Sequence, residues 1–219
     1  DQLLRRHIAD GRRLGLAEKD PQGALIVGAQ PFARQLAMEL KDLGLRALLV
    51  DSNHRNVTAS RLAGLEAEVG NVLGEETIDE LELGGVGRIL ALTPNDEVNA
   101  LAAIRATEVF ARAEVYRLPP ADKNAPSAFS DARTLFGPGV TYSYLTTAME
   151  GGATVKTTKL SAQFDINAYQ AHYGARGVPL GLLNDNGRLT WYTADFRPTP
   201  KPGDSIISLI LPEDGDGQG

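Results

Sequence analysis

Apolar residues fall along this chain in two textures. From Ala24 to Leu118, short apolar runs alternate with stretches in which apolar positions recur every three or four residues. The runs Ala24-Leu25-Ile26-Val27, Arg46 to Asp51, Glu66 to Gly70, Arg88 to Thr93 and Glu114 to Leu118 predict five strands. The first, second and fourth are continuous enough to be buried on both faces. Between the first two, Phe32, Leu36, Leu40 and Leu43 recur at helical spacing, with Ala33 and Ala37 beside them and Gly44 as a C-cap. Ser52-Asn53 predicts the N-cap of a second helix carrying Val57, Leu62 and Leu65 inward. Thr77 to Leu83 predicts a short helix with Ile78 and Leu81 inward. Thr93-Pro94-Asn95-Asp96-Glu97 opens a long helix to Arg112, whose first-turn acids complement the helix dipole. Regular alternation of strand and helix predicts parallel strands, right-handed crossovers and helices on both faces.

The texture changes downstream. Pro119-Pro120 and Pro126 interrupt the pattern, and Phe136-Gly137-Pro138-Gly139 predicts a turn. Val140 to Glu150 reads as a strand end running into a helix, with Tyr142, Leu145 and Met149 on one face. Gly151-Gly152 marks a boundary. Beyond it Leu160, Ala162 and Phe164 predict a strand by alternation, and Ile166 to Tyr173 a helix. Leu180 to Leu183 and Arg188 to Thr193 flank Asn184-Asp185-Asn186-Gly187, a hairpin signal. Pro202-Gly203-Asp204 is a turn before a buried strand, Ile206 to Leu211. The fold class is therefore α/β: a Rossmann-like doubly wound parallel sheet followed by a small α+β subdomain. The boundaries drawn are a connector helix over 1–20, a nucleotide-binding domain over 21–150 and the subdomain over 151–219.

Candidate chemistry gathers where the first strand ends. The dinucleotide fingerprint G-x-G-x-x-G becomes Gly28-Ala29-Gln30-Pro31-Phe32-Ala33. Ala33 is an allowed variant, because that position serves close helix–strand packing. Gln30 is a departure: the middle glycine lets backbone approach a pyrophosphate, and here a side chain enters that space. Pro31 suits the first position of a helix. Asp51 follows Gly28 by 23 residues, near the ~20 expected of an acid that holds a ribose hydroxyl. Ligands of such sheets bind beyond the carboxyl ends of the strands, which selects Gly28 to Phe32, Asp51 to Arg55, Gly70-Asn71 and Thr93 to Asp96.

Composition narrows the classes. The chain has 219 residues, 42% hydrophobic and 23% charged, enough for a packed core. No apolar run reaches the ~20 residues of a membrane helix. A formal net charge of −6 argues against general nucleic-acid binding. The absence of cysteine removes disulfides, thiol nucleophiles and thiolate metal sites. His and carboxylates show no metal-ligand spacing, and Glu75-Glu76 with Asp79-Glu80 read as a solvated helix start. Asp1 to Lys19 is locally basic through Arg5, Arg6, Arg12, Arg13 and Lys19, which reads as a solvated helix or as a juxtamembrane connector. Because the first residue is Asp and no signal peptide precedes it, the sequence is expected to be part of a larger protein.

Several of these stretches resemble one family. Leu25-Ile26-Val27-Gly28, Leu36-Ala37 with Leu40 and Gly44, Leu49-Val50-Asp51, Val69-Gly70-Asn71 and, above all, Thr93-Pro94-Asn95-Asp96-Glu97-Val98-Asn99 look like the RCK, or KTN, domain that regulates potassium channels and cation/proton antiporters. Thr157 to Leu211, with Lys201-Pro202-Gly203-Asp204, looks like its companion C-terminal subdomain. Gln30 and Ala33 depart from the fingerprint glycines, and Asn71 stands where the family often has Asp. The resemblance implies the cytosolic regulatory domain of a sodium or potassium/proton antiporter, on the cytoplasmic face of the membrane. It implies a homodimer, exchanging Val140 to Glu150, and a membrane transport domain N-terminal to it in the same polypeptide. The ligand implied is an adenine nucleotide, NAD/NADH or AMP/ADP/ATP. It would be bound by Gly28, Ala29, Gln30, Pro31, Phe32, Asp51, Ser52, Arg55, Asn71, Thr93 and Asn95, with no catalytic residue and no metal.

Two other classes stay open on the sequence. One is an oxidoreductase using NAD. It finds a thin inventory in His7, His54 and His172, and no Tyr is followed four positions later by Lys. The other is a dimeric scaffold without ligand.

Overall fold

The computed structural model describes residues 20–74, 81–111, 114–122 and 132–213. The basic stretch read as a connector, most of the short helix read over 77–83 and Pro126 lie outside them. The described residues form two compact units. One reaches Arg117 and takes in Ala132; the other holds 118–122 and runs on from Arg133.

The first unit is a parallel α/β layer. Its elements are β1 (Gly23–Val27), α1 (Pro31–Asp42), β2 (Ala47–Asp51), α2 (His54–Leu62), β3 (Glu66–Val69), β4 (Val86–Ala91), α3 (Asp96–Ala106) and β5 (Val115–Arg117). The parallel strands lie in the order β3-β2-β1-β4-β5. All five residues of β1 are buried, as an unbroken apolar run flanked by strands on both sides requires. Register aligns Val27 with Val50 on one side and with Ala91 on the other, so the strand tips end level. One face of the sheet packs Leu25, Val27, Ile89, Ala91 and Val115 with Ala102, Ala103 and Ala106 of α3. The chain order reverses between β1 and β4, and the loops after these strands open a crevice there.

Three details depart from the sequence reading. Leu62 is 85% exposed rather than inward, because α2 turns Val57 and Ser60 to the sheet. Leu65 is buried but lies beyond the helix, just before β3. The helix expected to run to Arg112 ends at Ala106 with Thr107 as C-cap, and the chain goes on in tight turns through Phe110.

The second unit is α+β. It contains β6 (Arg133–Thr134), α4 (Tyr142–Glu150), β7 (Thr154–Lys159), α5 (Ile166–Tyr173), β8 (Gly177–Leu183), β9 (Leu189–Trp191) and β10 (Ser205–Ile210). Four strands form an antiparallel sheet in the order β7-β10-β8-β9. The hairpin read from Asn184 to Gly187 joins β8 to β9, with Gly187 at φ +79°. The strand read through Leu160, Ala162 and Phe164 is displaced: β7 ends at Lys159, and Ser161 Oγ accepts the N–H of Gln163 and of Phe164 in a turn. Leu160 and Phe164 still reach the core, where they join Tyr169, Leu182, Tyr192 and Ile206. Leu145 on α4 is 2% exposed within the single chain, so the face it shares with Tyr142 and Met149 is partly filled by the chain's own packing. By contacts α4 groups with this second unit, whereas the sequence reading drew the boundary at residue 150. Among the described residues no helix is long and apolar enough to cross a membrane.

Candidate functional site

Four loops meet the carboxyl edge of the parallel sheet, and the sequence places polar residues in each. After β1 the chain must turn sharply into α1. Gly28 makes that turn at φ +104°, its N–H bonded to the Val50 carbonyl at 2.8 Å. A Cβ on Gly28 would stand 2.7 Å from the movable Gln30 Oε1 and 3.1 Å from the Leu92 carbonyl, so the positive φ and the carbonyl together disfavour a side chain. Pro31 takes the first helical position, where the missing N–H is an orphan in any helix. Phe32 and Ala33 are buried against the sheet, and Pro31 is exposed.

Asp51 is the hub. It is half-buried at the tip of β2, and three donors converge on its carboxylate. The N–H of Ala29 reaches Oδ2 at 2.8 Å, the Asn56 side-chain amide reaches the same oxygen at 2.9 Å, and the N–H of Asn53 reaches Oδ1 at 2.8 Å. The carboxylate therefore ties the first-strand turn to the start of α2. Asn53 caps α2 by accepting the Arg55 N–H at 2.9 Å. Ser52, His54 and Arg55 are exposed beside it.

Gln30 sits at the N-cap of α1 without capping it through its side chain. Its side chain folds back toward Gly28, into the space that the middle fingerprint glycine leaves open. There Oε1 is buried and accepts no hydrogen bond among the described residues. The first loop thus carries an unsatisfied acceptor where a phosphate-binding loop presents bare backbone.

After β4, Thr93 and Asn99 form a closed pair. Asn99 Oδ1 accepts the Thr93 N–H at 2.9 Å and the Thr93 hydroxyl at 2.7 Å, and its amide donates to the Thr93 carbonyl at 2.9 Å. Asn95 caps α3, its Oδ1 accepting the N–H of Glu97 and of Val98. After β3, the Gly70 N–H bonds the Asp51 carbonyl at 3.2 Å, and Asn71 is exposed with Oδ1 accepting the Leu73 N–H.

Comparison with known proteins relates part of the chain to a family. Residues 24–119 match the TrkA-N domain. The match runs from the second residue of β1 through β5 and takes in every residue of the crevice. A search of the curated proteins finds no match. Three solved structures resemble parts of the chain. The TrkA-N domain of the inner membrane protein ybaL from Escherichia coli is 19% identical, covers 46% of this chain and 74% of its own, and has a TM-score of 0.40. The NAD(P)-binding domain of an exopolyphosphatase-related protein from Archaeoglobus fulgidus is 20% identical, covers 47% and 77%, and has a TM-score of 0.41. The GsuK channel bound to NAD is 14% identical, with a TM-score of 0.44; the match spans 95% of this chain but 41% of the channel chain.

Within the matched segment, the structure brings Gly28, Ala29, Gln30, Asp51 and Asn53 into one hydrogen-bonded or van der Waals cluster. Thr93 and Asn95 form a second cluster after the neighbouring strand, while Ser52, Arg55 and Asn71 stand exposed at the margin. Sequence reasoning missed two positioning residues, Asn56 and Asn99. Asn56 sits one helical turn into α2 and steadies Asp51; Asn99 is 1% exposed in α3 and holds Thr93. Asn99 closes the Thr93–Asn99 stretch on which the family resemblance rests, whereas the sequence signal for Asn56 is no more than an asparagine in the first turn of α2. Among the described residues no group of three His, Asp or Glu is placed to hold a metal ion.

Proposed function

We propose that the TrkA-N segment is a regulatory nucleotide-binding domain. An adenine nucleotide would lie across the carboxyl edge of the sheet, its ribose on Asp51 and its phosphates near the start of α1. The observation that carries this reading is the Asp51 carboxylate, fixed by the Ala29 and Asn53 N–H groups at the tip of β2, beside the Gly28 turn. Thr93 and Asn95, across the switch point, complete the crevice. Ser52, Arg55 and Asn71 line its margin, and Arg55 offers a cation to a phosphate. The role is regulatory rather than catalytic: His54 is an exposed first-turn residue, and His172 packs edge-on against Tyr173 in the other unit.

The wider setting follows the same reading. The domain would act as a homodimer on the cytoplasmic side of a membrane, coupling ligand binding to a sodium or potassium/proton antiporter domain in the same polypeptide. Ligand regulates such an assembly only by binding one dimer arrangement more tightly than another. The Val140–Glu150 region is the proposed exchange element. Since Leu145 is buried in the chain's own core, a dimer surface there would use its exposed neighbours.

Isothermal titration of the 219-residue chain with NAD, NADH, ATP, ADP, AMP and NADP tests the nucleotide reading. Binding of at least one ligand with a free 2′-hydroxyl, with NADP weaker because its 2′-phosphate meets Asp51, is the expected result. Silence for all six overturns the proposal and leaves a scaffold.

A further inference from the structure

Two anomalies of the second unit touch each other. Among the described residues Phe136 is the one non-glycine residue with positive φ, at +63°. The Gly137 N–H bonds the Leu135 carbonyl at 2.7 Å, so Phe136 is the middle of a three-residue γ-turn of the strained hand. A bulky side chain in this region is costly, because its Cβ crowds the neighbouring carbonyl. Trp191 is the second anomaly. It is fully buried, and its Nε1 has no hydrogen-bond partner among the described residues. The two rings meet edge to face, with centroids 6.2 Å apart and planes inclined by 72°.

The fold holds this pair from both sides. Gly181 lies opposite Trp191 in the β8–β9 ladder, and a Cβ there would stand 3.1 Å from Cε3 and Cζ3 of the indole. The bare glycine is the seat of that edge of the ring, and Nε1 lies on the other edge. Phe136 is 2% exposed, and its N–H bonds the Tyr192 carbonyl at 2.7 Å. Leu135 bridges Thr193, and the Ala194 N–H bonds the Thr134 carbonyl at 2.9 Å. Residues 134–136 thus form a short strap along the chain that follows β9.

Backbone strain persists only where surrounding contacts over-determine it. Here the ring contact and the bond to Tyr192 hold the turn, against the left-handed backbone of Phe136 and the stranded indole N–H. One motion relieves both. When the Phe136 ring leaves Trp191, its backbone returns to negative φ and water reaches Nε1. The same motion reaches α4, because the Val140 N–H bonds the Gly137 carbonyl and Thr141 caps the helix.

We propose that Phe136 and Trp191 form a two-state latch at the root of α4. Closed, it fixes where the helix starts; open, it releases 136–140 from the strap and gives α4 freedom to move. The inference rests on the second unit alone and stands whether or not a nucleotide binds the first.

Hydrogen exchange on the whole chain reads the latch through the amide at position 136, while Ile207 and Leu209 of β10 report global unfolding. After correction for intrinsic rates, the Phe136 amide is expected to exchange about 100-fold or more faster than those two. Equal rates would mean that the turn opens only when the unit unfolds, and would overturn the proposal. Phe136→Ala removes the ring and keeps the strain, and should raise opening about tenfold over wild type. Phe136→Gly removes both, and should open about fivefold less than Phe136→Ala, since glycine takes positive φ without a Cβ penalty. Equal exchange in the two variants overturns the latch. Trp191 is the single tryptophan of the chain, so biosynthetic replacement of its indole by benzothiophene exchanges the N–H for sulfur and keeps the shape. Opening should then slow about fivefold, because no stranded donor gains by reaching water; unchanged or faster exchange overturns the latch as well. Should a variant not fold, seen as lost protection at Ile207 and Leu209, the wild-type ratio decides alone.

Discussion

Replacing Asp51 by Asn is a nearly isosteric perturbation with an asymmetric consequence. The carboxylate accepts three hydrogen bonds, two on Oδ2 and one on Oδ1. An asparagine can keep its oxygen only on one side. Placed at the Oδ2 position, that oxygen preserves the bonds from Ala29 and Asn56. The new NH₂ then faces the Asn53 N–H, donor against donor. A hydrogen bond to a charged group is worth about 1.5–3 kcal/mol, and the half-exposed setting puts this loss near the lower end, at about 1–2 kcal/mol. Amide hydrogen exchange reads the effect residue by residue. The Asn53 amide should lose protection while the Ala29 amide keeps it; Asp51→Ala should expose both. Nucleotide affinity should fall about 10–100-fold in either variant, since a ribose hydroxyl loses a charged acceptor. Equal loss of protection at Ala29 and Asn53 in Asp51→Asn, or unchanged protection at both, would refute the idea that this carboxylate pins the turn.

Four further outcomes follow from the same geometry. Gly28→Ala should destabilise the first unit by about 2 kcal/mol or more in urea titration, because it combines a positive φ with contacts on Gln30 and the Leu92 carbonyl; wild-type stability would contradict the turn as described. Gln30→Gly removes a buried unsatisfied acceptor, a gain of about 1–2 kcal/mol against a backbone-entropy cost of about 0.5–1 kcal/mol, and should tighten nucleotide binding by clearing the loop; weaker binding would show that Gln30 contacts the ligand. Asn99→Leu strands the N–H and carbonyl of Thr93 and should cost about 2–3 kcal/mol, measured by chemical denaturation. Burial pushes the Tyr192 phenol from 10.0 up to about 12, so the folded chain holds a proton that the unfolded chain releases first; stability should decline as pH rises from 10 through 12, and Tyr192→Phe should flatten that slope.

The parallel sheet was legible because its central strands are unbroken apolar runs, and such runs have few other uses. The Asp51 position was legible by counting from Gly28, since a βαβ unit fixes that interval. What failed was the assignment of the inward face of α2. In α2, Ser60 is fully buried because its hydroxyl bonds the Asn56 carbonyl one turn back at 2.8 Å, while Leu62 faces out. In α3, Ala102, Ala103 and Ala106 face the sheet while Leu101 and Ile104 are half-exposed. Close helix–sheet approach rewards small residues, so counting large apolar side chains points to the wrong face. The turn after Lys159 was misread for a similar reason. Leu160 and Phe164 do reach the core, but from a turn closed by Ser161 rather than from a strand. Asn56 was invisible as a site residue because its role depends on what lies at the tip of β2.

That dependence also constrains how a ligand can be held. A carboxylate offers about four lone-pair positions, and Asp51 already gives three of them to Ala29, Asn53 and Asn56. One position, on Oδ1, remains for a ribose hydroxyl. Holding both hydroxyls of a ribose would require one internal bond to open, at the Gly28 turn through Ala29, at the start of α2 through Asn53, or from the Asn56 side chain. If the Ala29 bond is the one that opens, the same loop loosens in which the Gln30 acceptor is unsatisfied, and a ligand that engages Asp51 fully gives Gln30 freedom to leave the crevice. Binding and rearrangement of the first loop then become one event. A loop that moves only when sugar is held is suited to report the ligand's presence, and less suited to the fixed geometry that hydride transfer to a bound cofactor demands.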